Sequence, residues 1–381
     1  MPTTPILAPR RRGTALAAAV AALLAVLAAL VAPPARADAP APPTLPDGFG
    51  LTQVPTEPEI AARNTANDFV ITVTTPQVAG RHHIRIILPD GYAADTAKRY
   101  PVMYLLHGSP GDPANYFNGY RALNGQAGMI FVLPDGGNRG WYSNWRDQNT
   151  PAGAQNWENF HIDQLVPYID ANLRTVADKQ HRAIAGISMG GFGALHYAQL
   201  HPDLFSDVAT MSGDNDLSVN SMDLRLTVVG SLIDATGALC AASTLSDPTA
   251  DCAVNDAYAP AVDSDALFGS PYPVLNADHL WNEADPGANA AKLAGLGVSI
   301  YIGNGGGGVF QAPIGPKGLE WWLEGASKHF KDKLDAAGVP YYWKDYGDGT
   351  GWGQCDGGHD ALCWDQDLVD YVPRLAAKFG V

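Results

Sequence analysis

Apolar positions along the chain fall into short runs separated by longer amphipathic stretches. Residues 69–73 and 83–88 alternate or cluster β-branched and aromatic side chains, which predicts an opening antiparallel pair of strands. Residues 100–106, 128–133, 183–186 and 297–302 are almost wholly apolar, as strands covered on both faces must be. Stretches at 156–173, 191–200 and 320–337 carry the spacing of helices, and 341–346 reads as a further strand. Apolar strands alternating with helices predict the α/β class, with a mostly parallel central sheet and helices on both faces. No internal repeat is present. Residues 135–156, 214–285 and 303–318 read as insertions near the carboxyl edge of that sheet, where open α/β sheets bind ligands.

The first fifty residues follow a different pattern. Arg10-Arg11-Arg12 precedes an Ala/Leu/Val run from Thr14 to Ala32, and Ala35-Arg36-Ala37 offers a small-residue cleavage site. A basic, then apolar, then small-residue order predicts a secretory signal peptide over residues 1–37. The alternative is an uncleaved anchor, because the run approaches the length needed to span a bilayer. Its Ala-rich composition and the closing Pro33-Pro34 favour cleavage. The paired arginines permit twin-arginine as well as general export. Residues 38–50 are Pro/Ala-rich and predict a linker, leaving 51–381 as a single domain. No later stretch is long and apolar enough to span a membrane, so no stable span is expected after cleavage.

The charge balance narrows the partners. Cleavage after Ala37 would remove four arginines and no acids, moving the net charge from −15 to −19. That argues against nucleic acid and anionic headgroups as primary partners and leaves neutral esters and glycolipids open. The four cysteines, Cys240, Cys252, Cys355 and Cys363, are an even number on a chain expected to be exported, which favours disulfides. Three pairings are possible; local closure, Cys240 with Cys252 and Cys355 with Cys363, is preferred because each pair lies within one loop-like region. Their spacings suit no zinc site, and no cofactor is called for.

Gly186-Ile187-Ser188-Met189-Gly190 has the form G-x-S-x-G, with an apolar strand before it and a helical stretch after it. In a nucleophile elbow the serine sits on a strained strand-to-helix turn, and small residues two before and two after let the backbones approach. Ser188 is therefore the candidate nucleophile. Met189 N–H should supply one donor to the oxyanion. The other should come from the end of an earlier strand, where Leu106-His107-Gly108-Ser109 offers Ser109 first and Gly108 second. His107 reads as structural or pocket-lining, since the base of this arrangement follows the serine in the chain.

Five histidines follow Ser188. His196 and His201 belong to the helix after the serine, and His329 sits in an amphipathic helix. His359 lies in a late Gly-rich loop between Cys355 and Cys363, where a brace could hold a base rigid; it is the candidate, with His279 as runner-up. The acid should follow the strand ending at Ile302, and residues 303–318 contain no Asp or Glu. Glu320 is the first carboxylate available, with Asp278, Asp285 and Glu324 as alternatives. Trp141, Tyr142, Trp145 and the Trp321-Trp322 step are candidates for an acyl or sugar surface, or else ordinary core aromatics.

These residues resemble the esterase-D-type branch of the α/β-hydrolase superfamily, and particularly the antigen 85-type mycolyltransferases. The likeness runs from about Arg81 to Leu375. It rests on Val132-Leu133-Pro134-Asp135-Gly136-Gly137, Trp141-Tyr142-Ser143-Asn144-Trp145, Asn156-Trp157-Glu158-Asn159-Phe160, the stretch from Gly186 to Gly193, and Ile302-Gly303-Asn304-Gly305. The resemblance implies an α/β-hydrolase fold. It implies a Leu-Glu acid falling on Glu320 and a loop histidine falling on His359. Two features depart from the mycolyltransferases: His107-Gly108-Ser109-Pro110 replaces an Asp-Gly-Leu-Arg-like segment, and Asp360-Ala361 replaces Ser-Trp. The implied activity is that of a secreted serine ester hydrolase or acyltransferase acting on an acyl ester or glycolipid, with water or a sugar hydroxyl as acceptor. A mycolyltransferase moving acyl chains between trehalose esters or cell-wall glycan is the alternative. A non-catalytic glycan- or matrix-binding protein on the same fold is the alternative from another class.

Overall fold

Strands and helices alternate along the chain because runs of two-sided apolar residues can be buried only by helices packed on both faces. The computed structural model describes residues 41–218, 221–234, 258–306 and 316–381. The signal-like segment 1–37 and both Cys240 and Cys252 lie outside the described residues. The described residues form a nine-stranded sheet: β1 (Thr52–Val54), β2 (Asp68–Thr74), β3 (His82–Ile87), β4 (Val102–Leu106), β5 (Ile130–Pro134), β6 (Arg182–Ile187), β7 (Asp207–Met211), β8 (Gly297–Gly303) and β9 (Tyr341–Gly347). Their order is β1-β2-β3-β5-β4-β6-β7-β8-β9. Strands β1, β2, β3 and β5 pair antiparallel, and from β5 to β9 every pair is parallel.

Alternate residues of each central strand feed two separate cores, as the period of a strand requires. Tyr104, Leu106, Val132, Ile184, Val208 and Ile300 face one core. That core is closed by α2 (Met189–Leu200) and α5 (Pro316–Ala337), whose Phe192, Leu195, Leu323 and Phe330 join it. Met103, Leu105, Phe131, Ala185, Ile187 and Met211 face the other, closed by α6 (Ala361–Phe379) through Leu368, Val372 and Leu375. Three further helices complete the elements used below: α1 (Val166–Asn172), α3 (Met222–Leu232) and α4 (His279–Ala284).

The helical stretch expected over 156–173 is present as a continuous run over 157–172, within which 159–165 form wide π-type turns that pass into α1. Strand β7 was not anticipated. Of the expected linker, the structure describes residues 41–50, most of them exposed and one, Leu45, anchored. Leu45 is buried in the main core, Gly48 and Leu51 form a bridge, and Gln53 reaches back to the Leu45 carbonyl.

Candidate active site

Four neighbouring strands, β4, β6, β7 and β8, end at the same edge, and the residues just beyond their ends carry the site. Ser188 follows β6 with φ 55° and ψ −123°, a conformation that a residue with a Cβ rarely adopts. Its N–H donates to Met211 O at 3.0 Å, and helix α2 starts at the next residue. The turn is possible because a Cβ at Gly186 would fall 1.9 Å from Gly190 O, and one at Gly190 would fall 2.3 Å from Leu106 O. Only glycine fits at either place.

His359 Nε2 lies 2.9 Å from Ser188 Oγ, and His359 Nδ1 lies 2.8 Å from Glu320 Oε2. Glu320 sits in the first turns of α5 and is completely buried. Its second oxygen, Oε1, accepts from Ser212 Oγ–H at 2.8 Å, Gly303 N–H at 2.9 Å and the Tyr346 hydroxyl at 3.3 Å. Burial pushes the Tyr346 phenol well above its usual range, and Asp367 and Glu320 add to that, so the phenol stays protonated and donates. A buried carboxylate needs such donors to remain charged. With Glu320 accepting from Nδ1–H, the His359 Nε2 lone pair faces the serine hydroxyl.

His359 is held by its loop. Cys355 and Cys363 are disulfide-bonded, Gly305 N–H donates to Gly357 O at 2.9 Å, and Asp360 caps α6 by accepting from Leu362 N and Cys363 N. The Trp364 ring meets the imidazole edge to face, with centroids 4.9 Å apart.

A cavity of about 450 Å³ opens beside Ser188. Trp141, Met189, Leu226, Leu319, Trp322 and Leu323 supply its apolar walls, and Ser109, Tyr258 and Asp214 its polar rim. Ser109 Oγ donates to Asn138 O and lies 2.9 Å from the Tyr258 hydroxyl. Gly108 packs directly on Ser188: a Cβ there would lie 3.1 Å from Ser188 Cβ. Met189, as the first residue of α2, has no carbonyl four residues back within the helix to take its N–H.

The expected surface residues divide. Trp141 lines the cavity and donates Nε1–H to Ser231 Oγ. Tyr142, Trp145 and His107 do not reach it, for each is buried and bonded inward. Tyr142 donates to His107 O, and Trp145 donates to Gly140 O. His107 Nδ1–H donates to Gly108 O while its Nε2 accepts from Gly136 N–H, so it ties the 108–109 turn to the strand beside it. Trp321 lines an adjoining groove with Lys328 and His329, whereas its neighbour Trp322 lines both that groove and the cavity. The alternative acids are bonded elsewhere: Asp278 to Arg225, Asp285 to Leu217 N–H and Gly287 N–H, and Glu324 to Lys328. His279 is exposed at the start of α4. Sequence reasoning missed Ser212, Tyr258, Tyr346 and Trp364. Ser212 would have stood out had 207–211 been read as a strand parallel to the one that leads into Ser188.

A sequence profile of the putative esterase family matches residues 75–375. Esterase Rv1288 of Mycobacterium tuberculosis is 41% identical over 177 residues, which cover 45% of this chain and 36% of that protein. The chain thus spans little more than a third of that relative's length. Diacylglycerol acyltransferase/mycolyltransferase Ag85A of Mycobacterium leprae is 28% identical over 265 residues, covering 67% of each chain. Among solved structures, Mycobacterium tuberculosis MPT51 superposes with a TM-score of 0.56 at 20% identity, covering 82% of this chain and 99% of that one. Staphylococcus aureus fluorophosphonate-binding serine hydrolase F gives 0.53 at 18%, covering 81% and 98%. At these identities the structures speak to fold alone, and the fold is of the α/β-hydrolase type.

Proposed function

The chain belongs to the putative esterase family, and from that premise we propose that it is a serine carboxylic-ester hydrolase or acyltransferase working through a Ser188 acyl-enzyme. One observation carries the reading: an unbroken chain of hydrogen bonds, 2.9 and 2.8 Å long, from Ser188 Oγ through the imidazole of His359 to the buried carboxylate of Glu320. His359 Nε2 takes the proton as Ser188 Oγ attacks the ester carbonyl carbon. Glu320 holds the Nδ1–H tautomer and stabilises the imidazolium that forms. Met189 N–H and Ser109 N–H, with Gly108 N–H as the alternative second donor, receive the oxyanion. Collapse expels the alcohol, which takes the proton from Nε2, and leaves the acyl group on Ser188. Water or a hydroxyl acceptor then repeats the sequence in reverse.

The apolar walls of the cavity suit the acyl part of the ester. Hydrolysis is the primary reading. Transfer to a sugar hydroxyl is the second, favoured by the 28% identity to Ag85A across two thirds of both chains. We place the activity outside the cytoplasm, on the signal-like pattern of residues 1–37 and on the Cys355–Cys363 disulfide. Among the described residues, no helix is long and apolar enough to cross a membrane.

A fluorophosphonate probe tests the nucleophile: the folded protein should be labelled on Ser188 and the Ser188→Ala variant should not. Absence of labelling in folded protein would sink the enzyme reading. Release of p-nitrophenol from short and long esters, with and without trehalose, separates the two acceptors. Acyl-trehalose as the main product would replace hydrolysis by transfer.

A further inference from the structure

We propose that Ser212 is a positioning residue of this site: its hydroxyl holds Glu320 in the orientation that presents Oε2 to His359 and links that carboxylate to Trp364, which packs on the imidazole. The proposal rests on the Ser188–His359–Glu320 reading and goes beyond it.

The geometry is specific. Ser212 is the residue immediately after β7, fully buried, with φ 49°. It stands beside Ser188, the residue immediately after β6, with φ 55°. The two elbows are built alike. Ser188 N–H donates to Met211 O on β7, and Ser212 N–H donates to Tyr301 O on β8. A left-handed backbone suits glycine better than serine, so a glycine at 212 would relieve the conformation while removing the hydroxyl. That hydroxyl is engaged on both sides. It donates to Glu320 Oε1 at 2.8 Å and accepts from Trp364 Nε1–H at 3.2 Å.

The chemical consequence follows from the two oxygens of one carboxylate. The terminal torsion of a glutamate is broad, so the plane of the group is set by its hydrogen bonds. Oε1 has Ser212, Gly303 N–H and, more distantly, Tyr346; Oε2 has His359. Without the Ser212 hydroxyl the shortest bond on Oε1 is lost, and Trp364 loses the acceptor for its N–H. The carboxylate can then turn, and the imidazole loses the partner that holds its tautomer and its aim at Ser188.

The test compares wild type, Ser212→Gly, Ser212→Ala and Ser188→Ala on a p-nitrophenyl ester. For Ser212→Gly, kcat should fall about ten- to a hundredfold, the scale of one hydrogen bond to a charged group, while KM stays within about twofold. Both Ser212 variants lose the buried hydroxyl, so both thermal midpoints should fall, and that of Ser212→Gly should fall less than that of Ser212→Ala because glycine accepts the backbone. The far-downfield proton resonance of His359 Nδ1–H, present in wild type, should broaden or vanish. Ser212→Ala should lose kcat to a similar degree. Ser212→Gly with wild-type kcat and an intact Nδ1–H resonance would overturn the proposal. So would a loss of activity that merely tracks a lowered midpoint. If wild type is active and Ser188→Ala is dead, a fully active Ser212→Gly refutes the Ser212 assignment alone; an active Ser188→Ala overturns the underlying site and this proposal with it.

Discussion

Glu320→Gln is the sharpest probe of how this site holds its proton. The substitution keeps the shape of the side chain and removes its charge. Oε1 receives the Ser212 hydroxyl, Gly303 N–H and the Tyr346 hydroxyl, so the amide oxygen must take that place; an NH₂ there would face three donors. The amide NH₂ then points at His359 Nδ1, 2.8 Å away, and Nδ1 must accept. The imidazole proton moves to Nε2, which faces Ser188 Oγ at 2.9 Å and can no longer remove its proton. Wrong-tautomer variants of this kind lose about 10³- to 10⁴-fold in kcat, equivalent to roughly 4–5.5 kcal/mol of transition-state stabilisation. Every hydrogen bond of the carboxylate keeps a partner, so the thermal midpoint should change little. Glu320→Ala reverses the balance: the imidazole can still sample the productive tautomer, but three donors are orphaned in the core. It should therefore be the more active and the less stable of the two. The assay is kcat for p-nitrophenyl butyrate with the fluorophosphonate labelling rate alongside. A folded Glu320→Gln protein within about tenfold of wild-type kcat would refute the tautomer argument.

Three further outcomes are expected. The Cys355–Cys363 bond closes a segment with a sequence separation of 8, and His359 stands midway in it; the double Cys→Ser variant should lose about 2–3 kcal/mol of stability by loop closure, and kcat with it. Unchanged kcat with and without reductant would show that the bond does not brace the base. His83 is raised from 6.5 to about 9, first by its hydrogen bond to Asp112, against burial, and then by Glu57. Because its folded pKa exceeds its unfolded one, this contribution is complete below about pH 6.5 and fades as pH rises through about 9; denaturant titrations should show about 1–2 kcal/mol lost over that window after solvent screening, and His83→Gln should flatten the slope. Trp322→Ala should lower kcat/KM for a p-nitrophenyl octanoate about tenfold or more by removing an apolar wall of the cavity, whereas Trp321→Ala, which lines only the adjoining groove, should leave it unchanged; equal effects would remove the distinction between the two residues.

The elbow at Ser188 could be read from the chain because its determinants are local: a strand, two obligatory glycines and a helix within about ten residues. The partners of Ser188 are not local. His359 lies 171 residues beyond it in sequence and Glu320 39 residues before His359, so only the order of strands brings them together. The aromatic residues show the same limit differently. Trp321 and Trp322 look alike in sequence, but neighbours on a helix point about 100° apart, and the roll of α5 decides which one faces the cavity. Tyr142 and Trp145 are aromatic residues in a Gly-rich segment near the site, yet their polar atoms bond inward and they belong to the core.

Strand β7 escaped for a physical reason. It opens on Asp207 and contains Thr210, which interrupt the apolar run. Both are satisfied by tertiary partners that no pattern reveals, Lys378 for Asp207 and Asn215 for Thr210. That omission hid Ser212. In a parallel sheet the positions just past adjacent strand ends form a row, and here the register sets Ile187 beside Met211 and Met211 beside Tyr301. The next residues in line are Ser188, Ser212 and Ile302, with Gly303 after it. A site read from motifs contains only the first of these. Read as an edge, with one strand end after another, it contains Ser188, the hydroxyl that reaches Glu320, and the amide that shares the same oxygen of that carboxylate.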